Sequence, residues 1–87
     1  MKKITLFVLR NCPFCIQALE WQQGILKENK DYQKIPLEIV DEAEEYDRAE
    51  GYDYYYVPSY YIDDQKVHEG VATREKIEMV FEMALRD

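Results

Sequence analysis

Lys3-Ile4-Thr5-Leu6-Phe7-Val8-Leu9, followed by Arg10-Asn11 and then Cys12-Pro13-Phe14-Cys15, is the stretch from which the rest of the chain can be ordered. Apolar residues fill nearly every position from Ile4 to Val8, which predicts a short strand buried on both faces. From Cys15 the pattern changes: Cys15, Ala18, Leu19, Gln22, Ile25 and Leu26 form a stripe at helical spacing, broken only by Gln22. A helix to about Asn29 is expected. Gly24 inside it costs about 1 kcal/mol relative to alanine, so this helix must rely on packing. Leu37-Glu38-Ile39-Val40 predicts a second strand, with Pro36 at its start, where a missing backbone donor is tolerable. Glu42 to Glu50 reads as a short acidic helix with Ala43, Tyr46 and Ala49 inward, ended by Gly51. Val57 to Ile62 gives a third strand, Asp63-Asp64-Gln65 a turn, and Lys66 to His68 a fourth strand antiparallel to the third. After Gly70, Thr73 is placed to cap a last helix whose Ile77, Val80, Phe81 and Ala84 share one face. The order βαβαββα predicts an α/β fold: one four-stranded mixed sheet with helices on both faces.

A chain of 87 residues, 47% apolar and 33% charged, suits a single domain spanning 1–87. Eighteen Asp and Glu against eleven Lys and Arg give a formal net charge of -7, opposed to the phosphate neutralisation that nucleic-acid binding needs. Met1-Lys2-Lys3 is followed by too short an apolar run for a signal peptide, and no run approaches a membrane span. A cytoplasmic monomer with no membrane or nucleic-acid partner is expected.

The two cysteines are too few and too close together to staple distant elements. A structural zinc needs about four ligands, and His68, the one histidine, is expected to be structural or solvated, so zinc would require a dimer sharing sites. Placement between a buried strand and a helix start points instead to redox chemistry. Unpaired N–H groups and the positive end of the helix dipole favour a thiolate on Cys12, and Pro13 suits the first helical position. Cys15, one turn deeper, is the natural resolving thiol. An ordinary cysteine near pKa 8.5 is only about 3% thiolate at neutral pH, whereas one near 5.5 is about 97%. Lower intrinsic nucleophilicity offsets most of that gain, so the larger effect is on leaving: a stabilised Cys12 thiolate departs readily from a mixed disulfide. Reversible exchange follows from side chains alone, with no metal or organic cofactor.

Cys12-Pro13-Phe14-Cys15 after the first strand resembles the Cys-Pro-Tyr-Cys of the glutaredoxin branch of the thioredoxin superfamily. Val57-Pro58 before the third strand is similar to that family's Val-Pro. The resemblance covers nearly the whole chain. It implies a thioredoxin fold, a cis Val57-Pro58 bond, and a backbone edge at Val57 that aligns substrate beside the cysteines. It further implies catalytic Cys12 and Cys15, and a substrate-binding set of Arg10, Pro13, Phe14, Val57, Pro58, Gly70 and Thr73. Arg10 stands near the place where many glutaredoxins keep a lysine. Where the family has Gly-Gly and an aspartate for the γ-glutamyl end of glutathione, this chain has Glu69-Gly70 and Thr73. The expected activity is therefore reduction of protein disulfides, with a flavoprotein of the thioredoxin reductase type or glutathione, as co-substrate, supplying electrons. Glutathione-dependent deglutathionylation and a non-catalytic binding module remain the alternatives. Tyr52, Tyr54, Tyr55, Tyr56, Tyr60 and Tyr61 crowd around Val57-Pro58, either as sheet and loop packing or, at Tyr55 and Tyr56, as an amphipathic surface for a peptide. Asp41, Glu42, Glu44, Glu45 and Asp47 read as a solvated helix face or a docking surface.

Overall fold

Strand β1 is Ile4–Val8, and all five of its residues are buried, as the unbroken apolar run requires. The computed structural model describes residues 1–87. Helix α1 (Pro13–Glu28) follows, then a 3-10 turn at Tyr32–Lys34 and strand β2 (Leu37–Asp41). Helix α2 is short, Tyr46–Glu50, and strands β3 (Ser59–Ile62) and β4 (Gln65–Glu69) form the closing hairpin before helix α3 (Arg74–Arg86). The sheet order is β2-β1-β3-β4. β1 runs parallel to β2, with Val8 opposite Asp41, and antiparallel to β3, with Phe7 opposite Ser59. β4 is antiparallel to β3, and Ser59 pairs with Glu69. This topology brings the ends of β1, β2 and β4 and the start of β3 to one end of the sheet. The loops carrying Cys12, Ala43, Val57-Pro58 and Gly70 therefore gather there.

One face carries the main core: Ile4, Leu6, Val8, Tyr60 and Ile62 meet Cys15, Ala18 and Ile25 of α1 and Ile77, Val80, Phe81 and Ala84 of α3. The position that breaks the α1 stripe is no exception to burial. Gln22 is buried, and its Oε1 accepts a hydrogen bond at 2.8 Å from the Tyr60 hydroxyl. Thr73 caps α3 as the sequence predicts, its Oγ1 accepting from the Lys76 N–H at 3.1 Å. Tyr32, in the turn after α1, is tied to α3 by donating to Glu82 at 2.8 Å.

The second face departs from the sequence expectation. Helix α2 does not begin at Glu42, because the Asp41 carboxylate accepts from the Ala43 N–H at 2.9 Å and its carbonyl accepts from Glu44 and Glu45. The side-chain bond takes the Ala43 N–H, and residues 41–45 form a turn ahead of the helix, which begins at Tyr46. Of the three side chains expected inward, only Ala49 is buried by α2, and Tyr46 is 65% exposed. Gly51 does end the helix, but at φ -75°, so it is not there for a left-handed conformation. Aromatic rings cover what the short helix leaves open: Phe7 lies 4.7 Å from Tyr52, 5.0 Å from Tyr54 and 5.6 Å from Tyr61, centroid to centroid. Four of the six tyrosines in the cluster are thus packing, with Tyr60 and Tyr61 in the sheet and Tyr52 and Tyr54 over it, while Tyr55 and Tyr56 remain exposed.

Candidate active site

Cys12 is the N-cap residue of α1, in an extended conformation at φ -79° and ψ 123°, and Pro13 occupies the first helical position. Its backbone is fixed from both sides: its N–H donates to Leu9 at 3.0 Å, and its carbonyl accepts from Cys15 and Ile16, each at 3.0 Å. The free thiol makes no cap hydrogen bond. The Cys15 N–H nevertheless holds the Cys12 pKa below the ordinary value, outweighing the upward push of burial, and the Phe14 N–H adds a smaller lowering. Cys15 is buried, and burial pushes its thiol up to about 11, with the neighbouring Cys12 and Glu42 charges adding to the rise. The Leu9 N–H donates to Cys15 Sγ at 3.5 Å and works in the opposite direction. One half-buried, acidified thiol and one fully buried, proton-holding thiol thus stand one helical turn apart.

The Val57–Pro58 bond is cis. Pro58 is buried, Val57 packs with Cys12 against the main core, and the Pro58 carbonyl accepts from the Gly70 N–H at 2.9 Å. Gly70 takes φ +88°, where a side chain would be strained. Phe14 and Val71 are exposed at this end of the sheet with Tyr55 and Tyr56.

Arg10 lies in the Cys12 cleft of about 390 Å³, lined also by Leu9, Asn11, Asp41 and Ala43. Its guanidinium is committed, with Nε 3.2 Å from the buried Asp41 carboxylate. Thr73 spends its oxygen on the α3 cap. Glu69 does more than displace a glycine: its Oε2 accepts from the N–H groups of Tyr55 at 2.6 Å and Tyr56 at 3.0 Å, and Lys66 Nζ is 2.6 Å from Oε1. Lys66 first, then these two amides, draw the Glu69 pKa down to about 2. The carboxylate therefore pins the segment that leads into Val57. Neither this bridge nor the Arg10–Asp41 pair is signalled by local sequence. The most voluminous hollow, about 530 Å³, lies elsewhere, against Tyr61, Asp64 and Lys66, and neither cysteine lines it. No group of three or more His, Cys, Asp or Glu is arranged to hold a metal ion, and no helix is long and apolar enough to cross a membrane.

Sheet order, crossover and the cysteine pair at the head of α1 place the chain among thioredoxin-fold domains. The thioredoxin domain family matches residues 2–82, and the chain belongs to that family. The solution structure of oxidised thioredoxin from Plasmodium falciparum is similar with a TM-score of 0.71 at 19% identity, over 92% of this chain and 77% of that one. An uncharacterized thioredoxin-like protein from Clostridium perfringens is similar with a TM-score of 0.68 at 23% identity, over 97% of this chain and 71% of that one. At such identities these likenesses speak to the fold. Among curated proteins nothing matches.

Proposed function

We propose that the protein is a thiol–disulfide oxidoreductase that reduces protein disulfides through Cys12 and Cys15. The observation that carries this reading is the position of Cys12 as the half-buried N-cap of α1, with Cys15 fully buried one turn below it. The Cys12 thiolate attacks one substrate sulfur, the substrate S–S bond breaks, and the departing thiolate takes a proton from solvent. Cys15 then gives up its proton and attacks the Cys12 sulfur, which releases the second substrate thiol and closes the Cys12–Cys15 disulfide. Two electrons and two protons have passed to the substrate, and an external dithiol or thiol must return them. Val57, presented beside Pro58, offers its backbone as the edge on which substrate aligns.

A flavoprotein of the thioredoxin reductase type fits the donor role better than glutathione. Glu69 and Thr73, at the positions where glutaredoxins hold the amino-acid end of glutathione, are engaged within the chain, and Arg10 is paired with Asp41. The reducing cytoplasm is the proposed setting and a monomer the proposed form.

Trapping tests the assignment. Cys15→Ser is expected to accumulate a mixed disulfide with reduced-and-reoxidised insulin chains, visible by mass spectrometry, while Cys12→Ser accumulates none. Adduct formation through Cys15 reverses the roles, and no adduct with either variant leaves a binding module.

A further inference from the structure

The Cys12 cleft does not end at Arg10. Through Leu9 and Ala43, which line both, it continues into a groove of about 410 Å³ walled by Tyr46 and Tyr54 and rimmed by Glu42 and Glu50. Six of the eight lining residues are hydrophobic, so the floor and walls are apolar while the charge sits at the edge. Tyr46 is 65% exposed, so its ring is left for a visitor. The Glu42 carboxylate is fixed in place, accepting from the Tyr54 hydroxyl at 2.6 Å. Neither rim carboxylate has a cation of its own, because the cations on this side are committed: Arg10 to Asp41, Arg48 to Glu38 and Glu45, and Lys66 to Glu69.

We propose that this groove is a subsite for one lysine or arginine side chain of the polypeptide that carries the substrate cystine. The inference rests on the dithiol reading above and adds a specificity to it. A long cationic side chain has the two halves the groove calls for, since its methylene stem covers apolar surface and its head keeps to a polar rim. The exposed Tyr46 ring supplies a face that favours a cation, and Glu42 and Glu50 supply the opposite charge. An acidic side chain in the same place meets two unneutralised carboxylates. A purely aliphatic one fills the walls but leaves the rim unmatched.

The test uses short peptides whose single cysteine is disulfide-linked to mercaptoethanol, with lysine, norleucine or glutamate at each position within about three residues of that cysteine. At one of these positions lysine is expected to lower KM about fivefold to tenfold relative to norleucine, and glutamate to raise it. The lysine advantage in the unaltered protein should shrink as salt rises from about 20 mM to about 500 mM, a readout that needs no variant. Glu42→Gln with Glu50→Gln should abolish the advantage, and Glu44→Gln, outside the groove, should retain it. Equal KM for lysine and norleucine at every position overturns the subsite, as does an advantage that persists in the double variant. A protein that turns over neither these peptides nor hydroxyethyl disulfide overturns the dithiol reading and the subsite with it. Turnover without charge preference overturns the subsite alone.

Discussion

Cys12 and Cys15 share a helix, and their surroundings pull their acidities in opposite directions. Amide N–H groups stabilise a thiolate on Cys12, while burial pushes Cys15 up to about 11. At pH 7 a thiol of that pKa is ionised in about one molecule in ten thousand, against about 3% for an ordinary cysteine near 8.5. Pulse alkylation of the reduced protein with iodoacetamide at neutral pH is therefore expected to label Cys12 alone. Its rate against pH should have a midpoint below the ordinary cysteine value, and Cys15 should stay unlabelled until the pH climbs toward 11. Comparable labelling of both thiols with midpoints near 8.5, read by peptide mass mapping, would remove the structural activation of Cys12. These two residues were legible because what tunes them is local: a strand end, a helix start, and Pro13 where its missing N–H costs nothing. The Arg10–Asp41 pair and the Glu69 bridge were not, since each depends on strand pairings, Val8 beside Asp41 and Ser59 beside Glu69, between residues far apart in sequence.

Between elements, the most informative contact is the hydrogen bond that ties α1 to β3. Tyr60 is fully buried, and its hydroxyl has Gln22 Oε1 as its partner at 2.8 Å in an otherwise apolar core. A buried polar group left without its partner costs about 1 to 3 kcal/mol, whereas removing both partners together leaves nothing unsatisfied. Gln22→Leu and Tyr60→Phe should therefore each lower the urea unfolding free energy of the reduced protein by about 1 to 3 kcal/mol, and the double variant should lose about 1 kcal/mol less than the sum. Strict additivity would mean that the bond contributes no coupling between α1 and β3. Periodicity marked Gln22 as the break in the stripe but could not name its partner, which lies on a strand 38 residues away. The same limit applies to α2. Acidic composition and inward-spaced Ala43, Tyr46 and Ala49 read as one helix, yet residues 41–45 fold as a turn closed on the Asp41 carboxylate and carbonyl, and the helix is five residues. Tyr52 and Tyr54 then do the covering that a longer helix would have done.

For the whole molecule, the net charge of -7 was plain in the sequence, but its distribution around the dithiol was not. Arg10, the cation that lines the Cys12 cleft, is paired with Asp41, and Lys66 with Glu69. Glu42 and Glu50 stand on the continuing groove with no basic partner, so an approach to Cys12 along that groove passes unneutralised negative charge. Its field extends over about 8 to 10 Å at physiological salt. An attacking thiolate that is itself anionic must enter that field, which raises its encounter cost in proportion to its charge. Reduction of the oxidised protein by small thiols should therefore follow thiolate charge: cysteamine fastest, mercaptoethanol next, glutathione slowest. Each rate is normalised to the same thiol's rate with hydroxyethyl disulfide, so that differences in thiol pKa and nucleophilicity cancel. At about 20 mM salt the spread between cysteamine and glutathione should be about threefold to tenfold, and by about 500 mM it should fall to within about twofold. A donor such as a flavoprotein reductase, docked by surface contact rather than arriving as a free anion, escapes most of this handicap, and that is the physical ground for preferring it. If normalised glutathione reduction matches cysteamine at low salt, the approach to the dithiol is not repulsive to anions and the preference for a protein donor loses that support.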